Sequence, residues 1–280
     1  MIGTRAQKSE KIAVEKIFAI LITIFASITF VIQPLFSVPD EGTHFANAYS
    51  IFHEDTKQNK FNDYRYPNEI DHYRDFSFVT SFTRKGVFPQ DKLTFKFKSS
   101  SVQYLPSAVG MLIGQWIYPS KGVILIFGRL FNLIFYSVAI YFAIKKAKFG
   151  KWMMAAVALL PMSIQQAVSI SYDVFFFVTV FLTFSLVTNL VTRQERLKWR
   201  DYLPIISVIC LLFLAKQSSL VMLFYFLALP VSLIRPNFFT SAIDAVWQFF
   251  DRHRLIFLAV MVLSFLLFIQ YYFKNYDGLT

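Results

Sequence analysis

The chain has 280 residues, of which 56% are hydrophobic and 19% aromatic, only 16% are charged, and the mean hydropathy is +0.49. Soluble domains carry about 25% charged and about 45–50% apolar residues, so this balance excludes an ordinary soluble globule, a disordered chain, a collagen and a disulfide scaffold. A single cysteine, Cys210, precludes an intramolecular disulfide and a cysteine-based metal cluster, and the formal charge of +11 gains meaning only from where Lys and Arg fall.

A helix needs about 20 mostly apolar residues to cross a bilayer, because its backbone polar groups must pair internally there. Residues 17–36 are uncharged and follow a basic start with Arg5, Lys8, Lys11 and Lys16. The stretch is too long for a signal peptide and no A-x-A site follows, so it reads as an uncleaved first transmembrane helix. Further spans are expected at 122–144, 152–169, 174–191, 203–215, 218–234 and 255–273. Residues 102–118 are apolar too, but Pro106, Gly110 and Gly114 weaken them as a lipid-exposed span. Keeping that segment at the interface, or re-entrant, places every basic cluster (the N-terminus, 145–151, 193–200 and 235–254) on the cytoplasmic side. The reading is therefore all-α: a polytopic bundle of about seven spans, N-terminus inside. Residues 1–16 are cytoplasmic, 17–36 the first span, 37–121 an extracytoplasmic loop with interfacial helices, and 122–280 the remaining bundle. The chain stops within a few residues of the last span, which reads as a C-terminal truncation. Positive charge is then a topology signal, and nothing in its placement supports nucleic-acid binding.

Directly after the first span comes Ser37-Val38-Pro39-Asp40-Glu41-Gly42-Thr43-His44-Phe45-Ala46-Asn47-Ala48-Tyr49. Ser37 followed by Asp40 resembles a capping box, Pro39 suits a first turn, and two acids favour the positive end of a helix dipole. On the expected helix, Phe45, Ala48, Tyr49 and Phe52 share an apolar face, while Asp40, His44 and Asn47 recur at i, i+4 and i+7 on another. Capping by the acids beside a solvated histidine is the plainer account of this polar stripe. Asp40 and His44 would hold a metal only with a third ligand from elsewhere.

That motif, together with Tyr104-Leu105-Pro106, Gly128-Arg129-Leu130-Phe131-Asn132, Leu160-Pro161-Met162 and Ser171-Tyr172-Asp173 in this order, resembles a bacterial polytopic family catalogued as domain of unknown function 2142. The family in turn resembles the GT-C superfamily of membrane glycosyltransferases, which take sugars from polyprenyl-phosphate donors. The resemblance implies an inverting transfer to a cell-surface glycan or glycolipid at the outer leaflet of the bacterial plasma membrane. Carried over, Asp40 is the catalytic base, Glu41 the neighbouring acid, and a divalent cation, magnesium or manganese, an open cofactor. The leaving lipid phosphate needs no proton if cations stabilise it.

Charges at the membrane edge supply those cations, since burying one there is costly and points to function. Arg129 lies about two turns into span 122–144, where snorkelling to headgroups is the alternative role. Lys216 lies at the outer end of 203–215, against the positive-inside bias, which suggests an anionic partner. Asp173 sits in the outer turn between two spans, where helix capping is its plain role. His44, Asn47, Arg129, Asp173 and Lys216 are thus the candidate substrate-binding residues. The aromatic and acidic clusters around Asp63 to Tyr66 and Asp71 to Asp75 suit carbohydrate contact or a solvated loop. A transporter or flippase for lipid-linked saccharides, or a non-catalytic assembly component, are the competing functions. A transporter should show broken helices with midplane charges in paired halves.

Overall fold

A computed structural model describes residues 13–53, 78–83, 95, 99–195 and 197–229, with isolated positions 233, 249, 252, 253, 256 and 263. Among these residues the protein is helical throughout, with no extended strand. Most of the 55–101 loop, with the clusters around Asp63 to Tyr66 and Asp71 to Asp75, and nearly all of the 255–273 segment lie outside the described residues, as do positions 230–232 and 234 of the 218–234 segment.

Two compact units result, one of Met1–Thr192 with Trp199–Ala228, the other of Arg193–Lys198 with Leu229–Thr280. In the smaller unit the Leu197 amide donates to the Leu233 carbonyl at 3.0 Å, and Lys198 lies 3.8 Å from Glu195 in an exposed pair. All that follows concerns the larger unit.

Its frame is three helices long and apolar enough to cross a membrane: α1 (Val14–Ile32), α5 (Lys121–Lys146) and α8 (Asp173–Val191). Side-chain ties fix their relative heights. Arg129 on α5 reaches the Gln33 and Pro34 carbonyls just beyond α1, and Asn132 reaches the Ser169 carbonyl just before α8. At the opposite end Asn189 of α8 donates to the Lys146 carbonyl at 2.7 Å, and the Lys148 amide donates to Thr188. From residue 129 to residue 146, α5 rises about 26 Å, close to the about 28 Å of α1 and of α8, and all approach the thickness of a bilayer core. Val14, Phe18 and Ile22 pack with Ala143, Ile144 and Met154, so the start of α1 and the basic 145–151 turn share one end. Ile20, Ile24, Phe25, Ile28 and Val31 remain exposed on α1, as a lipid-facing stripe would.

The 152–169 segment returns between these levels in two pieces, α6 (Lys151–Ala158) and α7 (Pro161–Ala167). Pro161 cannot donate to a helix ladder, and so the chain breaks before it. Its freed carbonyls are taken internally: the Tyr136 hydroxyl donates to Ala158 at 2.8 Å and Ser163 to Val157 at 3.0 Å. The two residues at the break, Leu159 and Leu160, are apolar.

After the short α3 (Phe78–Thr83), the 102–118 segment forms a 3-10 stretch (Ser99–Tyr104) and then α4 (Leu105–Ile117), 13 residues or about 20 Å, shorter than a bilayer core. It runs back along the first half of α5. Its small residues make the close approach possible: a Cβ on Gly110 would land on the Phe127 carbonyl, and one on Gly128 would meet Met111 at 2.8 Å. The glycines that make 102–118 a poor lipid-facing span are therefore its packing face. Residues 121–128 of α5, with α4 against them, rise about 12 Å past the level of Arg129.

The helix after the first span differs from expectation. α2 runs Glu41–Tyr49, and no capping box forms: Ser37 donates its hydroxyl to the Pro34 carbonyl instead of accepting a backbone amide. Two consecutive tight turns, with Phe36 at φ 56° and Asp40 at φ 60°, delay the start of the helix. The apolar face is as expected, with Phe45, Ala48 and Tyr49 buried. Past α8, a 3-10 turn (Trp199–Asp201) leads into α9 (Tyr202–Leu214), which ends just before Lys216; a further 3-10 stretch, Gln217–Ala228, follows.

Candidate functional site

The site is built where the α1–α2 turn, the upper part of α5 and the α7–α8 turn meet. Glu41, the first residue of α2, falls on the same face as Phe45 and Ala48 and is completely buried. A carboxylate there requires a partner, and Arg129 supplies one in fork-to-fork geometry. Its Nη2 lies 2.6 Å from Glu41 Oε2 and its Nε 2.8 Å from Oε1. Nη1 and Nη2 donate in addition to the Gln33 and Pro34 carbonyls at 3.2 and 2.9 Å, and the Ile170 amide donates to Glu41 Oε1 at 3.1 Å. The guanidinium thus uses four of its five N–H donors within the protein. Glu41 and Arg129 are given to each other beneath the surface rather than presented to a ligand. One turn on, Asn132 Nδ2 donates to the Ser169 and Ser171 carbonyls at 2.7 and 3.4 Å.

Above this buried layer lies a half-open cluster. His44 Nδ1 is 2.8 Å from the Tyr104 hydroxyl, and the His44 ring stands edge-on to Tyr172 with centroids 4.9 Å apart. Tyr104 and Tyr172 are in turn 6.1 Å apart, nearly perpendicular. Lys216 Nζ lies 3.6 Å from Asp173 Oδ1 and 5.1 Å from the centre of the Tyr172 ring. The expected i, i+4, i+7 stripe is present, with Asp40 and Asn47 exposed and His44 half-buried between them. Asp40 occupies the N-cap position but its carboxylate makes no capping bond, and it is held in left-handed backbone, a conformation that Asp tolerates better than most residues. Asp173 does not cap α8 through its side chain either. Its own amide is received by Ser171 Oγ at 3.1 Å, leaving the carboxylate to Lys216.

Electrostatics follow from this placement. Burial lowers the His44 pKa, an effect that the negative charges of Asp173, Asp40 and Glu41 partly oppose. Burial pushes the Tyr104 hydroxyl up to about 12 against a hydrogen bond from Asn47. Which of the Tyr104 hydroxyl and His44 Nδ1 donates in their 2.8 Å hydrogen bond depends on the imidazole tautomer. Lys216 is raised, first by its hydrogen bond with Tyr172 and then by the Asp173 charge.

Of the residues singled out from sequence, His44, Asn47, Asp173 and Lys216 converge, Asp40 stands beside them, and Glu41 and Arg129 pair below. Tyr104 and Tyr172 stand at the centre of the cluster and Asn132 in its foundation. All three occur in the motif strings quoted above, yet an aromatic two residues before a proline or beside an acid, or a single asparagine in an apolar span, carries little functional signal by itself. Among the described residues no three His, Cys, Asp or Glu side chains come together to hold a metal, so the third ligand that Asp40 and His44 need is not supplied by them.

Apolar helices matched in length and lipid-facing stripes define a helical membrane protein that gathers its polar side chains at one end of the bundle. The chain belongs to the family described as "Predicted membrane protein (DUF2142)", whose model matches residues 22–278. No curated protein and no solved structure matches the chain.

Proposed function

We propose that the protein is a GT-C-like glycosyltransferase that moves a sugar from a polyprenyl-phosphate donor to a cell-surface glycan or glycolipid at the outer leaflet. One observation carries this reading: acids, an imidazole, aromatic rings and a cation gather in a half-open cluster level with the ends of two apolar helices. A membrane-bound donor presents a phosphate and a sugar at that depth. In the proposed reaction the acceptor oxygen attacks the anomeric carbon as its proton passes to Asp40. The bond from that carbon to the phosphate oxygen breaks, its electron pair leaves with the lipid phosphate, and configuration inverts. Lys216 is the cation for the departing phosphate, while Asp173 keeps the ammonium in place. Tyr104, Tyr172 and His44 offer faces and edges for a sugar ring.

Transport of the same lipid-linked sugar is the less supported reading. Its signature is a broken helix whose loosened ends bind an ion or substrate. The break between α6 and α7 instead directs its freed carbonyls to Tyr136 and Ser163.

Asp40→Asn tests the proposal, because it keeps the shape of the side chain and removes the proton acceptor. With a panel of undecaprenyl-phosphate-linked radiolabelled hexoses in reconstituted membranes, transfer should fall at least about 100-fold, the scale of general-base contributions, at unchanged protein abundance. Full transfer by Asp40→Asn would refute the assigned base.

A further inference from the structure

We infer that Arg129 and Asn132, one turn apart on α5, are positioning residues that set the spacing between the two acid-bearing turns of the site. Each carboxylate of the cluster follows a backbone anchor held from below. On the Asp40 side, Arg129 binds the Gln33 and Pro34 carbonyls that enter the turn and the Glu41 carboxylate that leaves it. Asp40 is thus fixed between two anchored points, in left-handed backbone. On the Asp173 side, Asn132 binds the Ser169 and Ser171 carbonyls, and Glu41 Oε1 receives the Ile170 amide. Both turns are therefore referred to one helix, and Glu41 joins them directly.

The chemistry of the side chains suits this role. A guanidinium is planar, permanently charged and able to serve carboxylate and carbonyl groups together, so it fixes direction as well as distance. Lysine at 129 would keep the charge and lose the fork. Burial matters equally, since water cannot replace the lost bonds and relax the turns independently. Loose positioning of reacting groups by even about 1 Å can cost about 100-fold in rate.

This inference rests on the reading of Asp40 as the reactive carboxylate, so its test has one arm that does not involve the reaction. In a Cys210→Ala background, spin labels are attached at Gly42→Cys on α2 and Met162→Cys on α7. Position 42 has open space for a side chain, and Met162 is exposed. The distance distribution between them is measured by pulsed electron resonance in nanodiscs, alone and with Arg129→Lys or Asn132→Leu. The control is Asn189→Leu, which deletes the same kind of amide-to-carbonyl tie, to Lys146, at the far end of the bundle. The second arm is the kcat and KM split with the undecaprenyl-phosphate hexose panel.

Arg129→Lys and Asn132→Leu should broaden or shift the distribution and lower kcat at least 10-fold with KM within about twofold. Asn189→Leu should do neither, even where it lowers the unfolding midpoint as much. An unchanged distribution in both site variants overturns the inference, whatever happens to the rate. So does a changed distribution with kcat intact. If Asp40→Asn retains transfer, the base assignment fails separately, and the distance arm still decides whether Arg129 and Asn132 hold the two turns.

Discussion

Removing one member of the Glu41–Arg129 pair should destabilise the protein far more than removing both. Arg129→Leu takes from Glu41 Oε2 its one partner among the described residues, leaves Oε1 with the Ile170 amide there, and strips two carbonyls of their donor. Glu41→Leu leaves a buried guanidinium with the Gln33 and Pro34 carbonyls only. A buried charge deprived of its partner costs about 3–5 kcal/mol, whereas replacing both charges by apolar groups of similar volume is often close to neutral. Glu41→Leu should be the costlier single change, because a guanidinium cannot shed its proton and a carboxyl can take one up. The double variant should cost no more than either single one, so that the coupling in a double-mutant cycle is at least about 3 kcal/mol. Reversible unfolding in mixed micelles, followed by tryptophan fluorescence, measures all four proteins. Additive single effects, with coupling below about 0.5 kcal/mol, would show that the two charges are not each other's partner and would remove the foundation described for the site.

Three further outcomes can be checked independently. Gly110→Leu should force α4 from α5 and lower stability by about 1–3 kcal/mol, whereas Val109→Leu on the exposed side should be nearly neutral in the same unfolding assay. His44 should titrate below the ordinary 6.5: its lowered pKa means that the neutral form is favoured in the fold, so the stability it contributes is present above 6.5 and is lost as pH falls through the folded value. A histidine-specific NMR titration or the acid limb of a pH profile would show it, and a value at or above 6.5 would contradict the burial argument. A single cysteine at Lys148, in a Cys210→Ala background, should resist an impermeant maleimide in intact cells while one at Ser120 reacts, because the basic 145–151 turn is expected inside; strong labelling at position 148 would reverse the topology.

How much of this was legible in the sequence depended on the range of the interaction. The apolar runs of α1, α5 and α8 follow from hydropathy, and the polar stripe of Asp40, His44 and Asn47 follows from helical spacing, since both are local. The partnership of Glu41 with Arg129 spans 88 residues and could not be read from either neighbourhood. Sequence alone reads Arg129 as substrate-binding, because a membrane-edge charge signals function without indicating its direction, and reads Glu41 as the acid beside the base only through the resemblance. Glu41 could have been moved to the apolar face by counting four residues back from Phe45. The capping box failed for the same reason: drawing Glu41 inward makes the chain turn at Asp40 before the helix begins. The 152–169 segment kept its apolar character but not its continuity, and Pro161 within it was the available sign. Tyr104 and Tyr172 gained their place only from the meeting of distant segments.

The most direct test of the account is the stoichiometry of transfer by the purified protein in proteoliposomes. With an undecaprenyl-phosphate hexose labelled in both sugar and lipid, and a mixed cell-surface glycan extract as acceptor, glycosyl transfer predicts one undecaprenyl phosphate released for each sugar that appears on the acceptor, with both processes lost together in Asp40→Asn. Movement of the intact labelled donor from one leaflet to the other, with no undecaprenyl phosphate released from any member of the hexose panel, would contradict the enzyme reading and establish transport in its place.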